Sequence, residues 1–144
     1  MPEVELRVMK LRPDACLPAR GTPDATGFDL YACLGECLTL GRAPQLVPTG
    51  IAIAVPVGCD AQIRPRSGLA AKGVGVAFGT IDADYRGELL VTMWVFGGLD
   101  AYDIQHGDRI AQLVVAPLVR AVLLEVNELS ATERGGGGHG STGR

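Results

Sequence analysis

Short runs of alternating apolar and polar residues cover most of the chain, and Pro and Gly separate them. A period of two is typical of half-buried β-strands, and Pro and Gly are typical of the turns between strands. The pattern predicts nine or ten strands and one short helix over 67–72. The strands are predicted at 4–9, 28–33, 38–40, 46–55, 59–64, 74–78, 89–96, around 104, at 109–118 and at 121–129. We therefore predict an all-β sandwich or barrel, with the jelly roll as the favoured form.

Composition indicates what fills the core of this fold. The 144 residues are 47% hydrophobic but only 5% aromatic, so a single domain must build its core from Val, Leu, Ile and Ala. Residues 110–115 are apolar on both faces apart from Gln112, which suits a strand buried between sheets or between subunits. A buried amide needs a hydrogen-bond partner. We expect Gln112 to reach either a ligand or a neighbouring backbone group.

Charge and cysteine usage exclude several classes of function. A net charge of −3 leaves no basic excess for nucleic acid, although a pocket for an anionic small molecule needs only a few cations. The N-terminus lacks the pattern of a signal peptide, and no apolar run reaches transmembrane length. We therefore expect a cytoplasmic protein with no nucleic-acid or membrane partner. The four cysteines do not form two close pairs, so we expect small buried hydrophobic residues rather than zinc ligands.

The stretch 79–88, GTIDADYRGE, lies between two apolar runs and predicts a hairpin whose bend carries the polar groups. A tyrosine ring is poorly used in a turn that serves only solubility. The bend is therefore a candidate site, and an ordinary solvated turn is the alternative. One role for Asp84 is an ion pair with Arg86 that stiffens the hairpin.

Two further segments carry groups suited to an anion. The segment 65–70, PRSGLA, places Arg66 and Ser67 where a helix begins, which favours a phosphate site. The alternative is that Ser67 simply caps the helix. The segment 134–144 has six glycines in eleven residues, so it cannot pack into a core. It resembles a P-loop only superficially, because the lysine is missing. Two interpretations stay open, a frayed terminus and a lid that folds over a ligand.

Five stretches resemble, in sequence and in order, the five motifs of the trimeric dUTPase family. They are 25–30 (ATGFDL), 65–70 (PRSGLA), 79–88 (GTIDADYRGE), 109–112 (RIAQ) and 134–143 (RGGGGHGSTG). The resemblance covers about residues 4–143. It implies a jelly-roll homotrimer whose active sites are built from several subunits. It divides the chain into a β domain, residues 1–129, and a flexible arm, residues 130–144, that closes over an active site.

The resemblance also implies a reaction: hydrolysis of dUTP to dUMP and pyrophosphate with Mg²⁺, which keeps uracil out of DNA and supplies dUMP for dTMP synthesis. Asp82 would deprotonate the water that attacks the α-phosphorus in line. Asp29 would act near Mg²⁺ through water, with the metal held mainly by the triphosphate. The implied substrate-binding residues are Arg66, Ser67, Gly68, Val76, Gly79, Thr80, Ile81, Tyr85, Gln112, Arg134, His139, Gly140, Ser141 and Thr142.

Within that set, Tyr85 would lie under the deoxyribose and exclude a 2′-hydroxyl group. The backbone from Val76 to Ile81 would pair with the uracil edge and exclude the methyl group of thymine. Arg66, Ser67, Gly68 and Gln112 would hold the phosphates. In the tail, Arg134 would reach the γ-phosphate, His139 would stack on the uracil, and the hydroxyl groups that follow would bind phosphate oxygens.

Two positions depart from the family pattern. Most members carry Phe where this chain has His139, which predicts an altered affinity. Many bacterial members carry Asn where this chain has Val76, so backbone groups must recognise the uracil edge. Two alternatives belong to other classes of function. A deoxycytidine nucleotide deaminase of the same superfamily would release ammonia from dCTP, and a non-catalytic sensor would bind dUTP without turnover.

Overall fold

The computed structural model describes residues 1 and 3–143, so Pro2 near the N-terminus and Arg144 of the predicted arm lie outside the described residues. The described residues form eleven strands and one helix, which confirms the all-β prediction. The helix is α1 (Ser67–Lys72). The strands are β1 (Arg7–Lys10), β2 (Phe28–Tyr31), β3 (Leu38–Leu40), β4 (Gln45–Pro48), β5 (Ile51–Ala54), β6 (Cys59–Arg64), β7 (Val74–Val76), β8 (Gly79–Ile81), β9 (Leu90–Val95), β10 (Tyr102–Ile104) and β11 (Arg109–Pro117).

The strands form small antiparallel sheets. The largest has the order β2-β11-β6-β8, and a three-stranded sheet has the order β4-β9-β7. Two further pairs are β1 with β5 and β10 with β3. Strand β11 has a neighbour on each side, and its Ile110 and Leu113 side chains are both 0% exposed. The prediction of a buried strand at this position is confirmed.

The core is aliphatic, as the composition predicts. Leu, Ile and Val supply most of the large side chains that are fully buried, and Met93 joins them. Among the described residues no aromatic side chain is classed as buried. One cluster of buried residues connects all the sheets. No helix within the described part of the chain is long and apolar enough to cross a membrane.

Two predicted strands differ from the observed ones in their bounds. The predicted strand 46–55 is divided into β4 and β5 at Thr49 and Gly50, because β4 pairs with β9 and β5 pairs with β1. Gly50 has a φ of +69° at this switch between sheets, a conformation that L side chains rarely adopt. The first strand begins at Arg7 rather than at Val4, whose side chain is 56% exposed.

The predicted hairpin is only partly correct. Strand β7 pairs with β9, so that Val76 faces Met93 in the register. Residues 79–81, expected in the bend, instead form β8 and pair with β6 in the larger sheet. The bend is therefore a crossover from one sheet to the other, and the stretch 79–88 connects them. The proposed Asp84–Arg86 pair is wrong within the described residues, because the Arg86 guanidinium donates to the carbonyl oxygens of Ala83 (2.7 Å) and Tyr85 (2.9 Å).

The last predicted strand, 121–129, is also wrong for a single chain. The backbone of Leu118 donates to the Gly58 carbonyl oxygen at 2.9 Å, and the residues after it form no strand. A strand needs a neighbour for its backbone groups, and one chain offers none here. We call residues 118–129 the apolar segment. Its exposed side chains include Val122 (90%), Leu123 (95%) and Leu124 (83%).

The cysteine prediction is correct only for Cys33, which is buried. Cys16 and Cys59 are half-buried, and Cys37 is exposed. All four are free thiols.

Candidate active site

A first group of polar residues, which we call the arginine cluster, consists of Asp29, Arg66, Ser67, Arg109 and Gln112. Strand β11 lies between β2 and β6, so Gln112 has Asp29 on one side and Arg64 on the other in the register. Arg66 follows two residues after β6. The sheet therefore brings together segments that are far apart in sequence, as the resemblance implied.

Asp29 is the centre of the arginine cluster. Its Oδ1 lies 3.3 Å from Arg66 Nε, and its Oδ2 lies 3.8 Å from Arg109 Nη1. The Asp29 side chain is only 16% exposed, whereas Arg109 is 55% exposed. A half-buried carboxylate between two guanidinium groups orients both of them. The Arg109 guanidinium stays accessible to an anion from solvent.

Hydrogen bonds to the backbone fix the arginine cluster. Gln112 Nε2 donates to the Pro65 carbonyl oxygen at 2.9 Å, and Arg66 Nη1 donates to the Arg109 carbonyl oxygen at 3.0 Å. Of the two partners expected for Gln112, the structure provides the neighbouring backbone. Sequence reasoning gave Gly27 no role, yet a Cβ atom there would lie 2.6 Å from Gln112 Oε1. Gly27 therefore leaves the room that the Gln112 side chain occupies.

Helix α1 begins at the edge of the arginine cluster. Its N-cap residue is Arg66, in an extended conformation, and no side chain caps the helix. The alternative of Ser67 as the N-cap is therefore wrong. Ser67 and Gly68 are exposed, so the Ser67 hydroxyl group is free to meet a ligand. An adjoining cleft of about 220 Å³ is lined by Arg66, Lys72, Asp108 and Arg109 among others. Lys72 is a cation that sequence reasoning missed.

A second group of residues lines a cleft of about 210 Å³, which we call the hairpin cleft. Its lining residues are Ile63, Gly79, Thr80, Ile81, Asp82, Tyr85, Glu88, Leu89 and Leu90. The pairing of β8 with β6 places Gly79 opposite Ile63, where a Cβ atom at 79 would lie 3.3 Å from the Ile63 side chain. The structure thus brings Asp82 and Tyr85 together with the predicted base-recognition backbone. Val76 does not line the cleft, because its side chain is only 6% exposed in the core.

Three contacts hold Tyr85 in the hairpin cleft. Its hydroxyl group donates to the Glu88 carbonyl oxygen at 2.8 Å, and its backbone N–H donates to the Asp82 carbonyl oxygen at 3.0 Å. The third contact is with Gly87, where a Cβ atom would lie 2.6 Å from Tyr85 Cζ. Any side chain at position 87 would displace the ring. The ring itself is 43% exposed and remains available to a ligand.

Arg12 connects the hairpin cleft to the N-terminal loop, and sequence reasoning gave it no role. Its Nη1 lies 3.1 Å from Glu88 Oε1, and its Nε donates to Cys33 Sγ at 3.4 Å. The hydrogen bond with Cys33 raises the pKa of Arg12 above its usual value; burial opposes this shift, and the negative charge of Glu88 adds to it. The shift favours the cationic form of Arg12.

The predicted tail residues lie apart from both groups. The hydrogen bonds that the structure describes within 130–143 are local turns, such as Arg134 Nε to the Gly137 carbonyl oxygen at 2.7 Å. His139 has a φ of +52°, which is uncommon for a residue with a side chain. In a single chain Arg134, His139, Gly140, Ser141 and Thr142 are therefore not brought to the clefts.

Each cleft is smaller than a usual ligand site. Pockets for small molecules have volumes of about 300–1,000 Å³, whereas these clefts measure about 220 and 210 Å³. No hydrogen bond or ion pair described in residues 3–143 joins the arginine cluster to the hairpin cleft. The two groups are therefore separate within the described part of a single chain.

The residues present fit a magnesium ion that arrives with its ligand. Mg²⁺ prefers six oxygen ligands and keeps several of its waters. Within the described residues, the side chains of these clefts provide no group of three candidate metal ligands. Asp29 already faces two arginines, so it suits a contact through water. Phosphate oxygens and water would supply most of the coordination.

Cations around one cleft and a carboxylate with an aromatic ring in another are typical of proteins that bind phosphorylated small molecules. The sequence pattern of the dUTPase family matches residues 14–143. The chain is 50% identical to the deoxyuridine 5'-triphosphate nucleotidohydrolase of Syntrophotalea carbinolica, covering 99% of both proteins. It is 53% identical to that of Desulfotalea psychrophila, covering 88% of this chain and 87% of the relative. This chain belongs to the dUTPase family.

A solved structure confirms the fold. A variant of the Staphylococcus bacteriophage 80alpha dUTPase, with dUpNHpp, superimposes with a TM-score of 0.86 at 28% identity. The superposition covers 97% of this chain and 99% of the phage chain. The predicted jelly-roll-like class is therefore correct.

Proposed function

We propose that this protein is a dUTP diphosphatase: it hydrolyses dUTP to dUMP and pyrophosphate, keeps uracil out of DNA and supplies dUMP for dTMP synthesis. The observation that carries the proposal is the placement of Asp82 and Tyr85 in one cleft, beside the exposed backbone of β8. In a chain of the dUTPase family, this supports roles for Asp82 as a base and for Tyr85 as a sugar-binding ring on the same short crossover. We also propose that the protein is cytoplasmic.

Asp82 is proposed as the general base. It is an exposed carboxylate that directly follows β8, so it is open to a water molecule. It would take a proton from that water as the oxygen attacks the α-phosphorus in line with the leaving pyrophosphate. The hydrogen bond from the Tyr85 backbone to the Asp82 carbonyl oxygen fixes the turn that presents the carboxylate.

The hairpin cleft is proposed to select the nucleoside. The Tyr85 ring, held between Gly87 and the Glu88 carbonyl oxygen, would pack against deoxyribose and leave no room for a 2′-hydroxyl group. The backbone of β8 and the residues before it would pair with the uracil edge. Because the Val76 side chain is buried in the core, it would not contact the base and would only support that backbone.

The arginine cluster is proposed to hold the triphosphate. Arg66, Ser67, Gly68 and Gln112 would contact its oxygens, since guanidinium, hydroxyl and amide groups all donate hydrogen bonds to phosphate. Mg²⁺, when bound, would neutralise charge that develops on the phosphate oxygens. Asp29 would reach that ion through water, as its engagement by two arginines allows.

We further propose a homotrimer whose active sites combine an arginine cluster and a hairpin cleft from different chains. The small volume of each cleft supports this, and so does the exposed apolar segment. A run with Leu123 at 95% exposure is unfavourable in water and gains by packing on a second chain. Residues 130–144 would then act as the predicted arm, with Arg134 on the γ-phosphate and His139 on the uracil ring.

The test is pyrophosphate release by the purified protein with Mg²⁺, comparing dUTP with dTTP, dCTP and UTP. We expect strong turnover of dUTP alone, because the cleft must accept uracil and deoxyribose together. Ammonia released from dCTP would identify a deaminase instead. Tight dUTP binding with no turnover of any nucleotide would identify a sensor. Either of these two results would overturn the proposal.

A further inference from the structure

We propose that Asp14, Cys33 and His106 form a binding site for a thiophilic divalent cation such as Zn²⁺, distinct from the proposed active site. One ligand atom from each residue lies within 4.8 Å of the others. The three residues come from distant parts of the sequence: a turn after β1, the segment after β2, and the turn between β10 and β11. This distance along the chain is why the cysteines alone gave no metal signal.

Backbone hydrogen bonds hold two of these segments together, those of Cys33 and His106. The turn at 105–108 is tied to the segment after β2 by Gly107 N–H to the Ala32 carbonyl oxygen and by Ala32 N–H to the Asp108 carbonyl oxygen, both at 2.8 Å. Cys33 N–H donates to the Pro48 carbonyl oxygen, also at 2.8 Å. The backbone under Cys33 and His106 is therefore fixed before any ion binds, which lowers the cost of assembling a site.

The spacing of the thiol and the carboxylate already suits a tetrahedral ion. Cys33 Sγ lies 3.6 Å from Asp14 Oδ1. With metal bonds of about 2.3 Å to sulfur and about 2.1 Å to oxygen, a tetrahedral angle separates the two ligand atoms by about 3.6 Å. The imidazole nitrogen lies within 4.8 Å of both of these atoms. His106 is exposed in a turn, so its ring has room to move.

The chemistry of the three donors favours zinc over magnesium. A thiolate and an imidazole are ligands for Zn²⁺ and similar ions, whereas Mg²⁺ prefers six oxygen atoms. A thiolate and a carboxylate also balance the two positive charges of the ion. Arg12 Nε donates to Cys33 Sγ at 3.4 Å, which is the kind of outer hydrogen bond that supports a metal-bound sulfur. Asp14 and His106 are exposed, and together they leave an entry path and a fourth position for water.

Two existing contacts oppose binding: the Cys33 thiol donates to Asp14 Oδ1 at 3.6 Å, and a second hydrogen bond engages His106 and ranks the ligands. Leu34 N–H donates to His106 Nδ1 at 3.1 Å, so the neutral ring carries its proton on Nε2. An ion bound at Nδ1 must replace this hydrogen bond. We therefore expect Cys33 to be the essential ligand, with His106 contributing less.

The experiment uses Co²⁺ as a spectroscopic substitute for Zn²⁺, added to the reduced full-length protein without nucleotide. We expect one Co²⁺ per chain, with a thiolate-to-metal charge-transfer band that Zn²⁺ removes by displacement. Cys33→Ser should abolish the band. The matched control, Cys37→Ser, removes an exposed thiol nearby and should leave it unchanged. Asp14→Asn and His106→Gln change exposed side chains and should each weaken Co²⁺ binding by about tenfold or more.

Three results would overturn the inference: no charge-transfer band in the unaltered protein, a band that survives Cys33→Ser, or an affinity that neither Asp14→Asn nor His106→Gln changes. The third result would mean that the Cys33 thiol binds Co²⁺ without the other two proposed ligands. Because the two surface variants do not disturb the core, they decide the question even if Cys33→Ser does not fold. The measurement contains no dUTP, so its result is independent of the proposed hydrolysis.

Discussion

Two carboxylates lie two residues apart on the crossover, but only one of them lines the hairpin cleft. Asp82 faces Tyr85 there, whereas Asp84 is exposed outside the lining. We expect Asp82→Asn to lower kcat by roughly 10²–10⁴-fold, because an amide cannot accept the proton of the attacking water. Binding of a non-hydrolysable dUTP analogue should change little. Pyrophosphate release and calorimetry measure the two effects.

Asp84→Asn is the matched control, since it removes the same charge from the same bend. It should leave kcat within a few-fold of the original value. Full turnover by Asp82→Asn, or equal losses in both variants, would exclude Asp82 as the base and assign the effect to charge alone.

Gly87 offers a test of how Tyr85 is positioned. In Gly87→Ala the new Cβ atom would overlap the Tyr85 ring, 2.6 Å from Cζ. A ring displaced by about 1 Å should cost on the order of 100-fold in kcat/KM for dUTP. It should also reduce the preference for dUTP over UTP, because the ring would no longer exclude a 2′-hydroxyl group. Gly21→Ala, where a Cβ atom meets nothing within 4 Å, should change neither value.

At the scale of single elements, the end of helix α1 is set by one glycine. Gly73 has a φ of +94°, and its N–H donates to the Ala70 carbonyl oxygen. In Gly73→Ala the Cβ atom would also lie 2.8 Å from the Phe96 carbonyl oxygen, which is backbone and cannot move aside. We expect the free energy of unfolding to fall by more than the cost of left-handed backbone alone, about 1–2 kcal/mol.

Gly58→Ala is the control for that comparison. Gly58 has a similar φ of +88°, but a Cβ atom there meets nothing within 4 Å. In Gly58→Ala the free energy of unfolding should therefore fall only by the cost of left-handed backbone. Urea unfolding at one fixed protein concentration measures both variants. Equal destabilisation would mean that the contact with Phe96 is relieved by movement of the loop.

The sequence predicted the bounds of an element well where neighbouring residues in the sequence determine them. Helix α1 has its predicted bounds, because Gly and Pro on either side limit a short run of helix-forming residues. Strands β3 and β6 also have theirs. The division of 46–55 and the crossover at 79–81 were missed. Both depend on which distant strand supplies the partner, and alternation along one strand carries no information about that.

The candidate site shows the same limit. Most polar residues of the arginine cluster and the hairpin cleft were candidates from the sequence pattern or from the resemblance to family motifs, with Asp29, Asp82 and Tyr85 among them. Their grouping into two separate clefts was not predicted, because it follows from the order of strands in the larger sheet. Arg12 and His106 had no motif at all, and only the folded chain places them beside Cys33.

At the scale of the whole molecule, the question is whether a site belongs to one chain or to several. We expect co-expressed Asp82→Asn and Arg66→Ala chains, purified together through two tags, to regain activity that neither has alone. Each site of a mixed trimer would take its cluster from one chain and its hairpin from another. Each mixed trimer selected by the two tags has one intact site of three, so about a third of the normal turnover should be restored.

The control for that mixture pairs two defects in the same half-site. Chains with Asp82→Asn and chains with Tyr85→Ala share the hairpin cleft, so mixing them should restore nothing. Light scattering should give about three chains per particle. Failure of the first mixture to recover, in particles of three chains, would place each site within a single chain.

Truncation after Glu133 tests the proposed arm. The described residues among those removed, 134–143, make only local hydrogen bonds in the single chain, so the assembly and its unfolding temperature should be unchanged. Turnover of dUTP should fall sharply, because water enters an uncovered site and the contacts of Arg134 and His139 are lost. Loss of the folded assembly instead would make these residues structural.

The carboxylate of Asp29 acts as a resident counter-ion within the arginine cluster. Arg66 and Arg109 both face it, at 3.3 and 3.8 Å, so the three side chains together carry one positive charge rather than two. An incoming triphosphate is attracted less strongly than it would be by two bare arginines, and so is the pyrophosphate left after the reaction. We expect the main effect to be faster release of the pyrophosphate product. A cluster without this carboxylate would bind its substrate well and then remain occupied by its product.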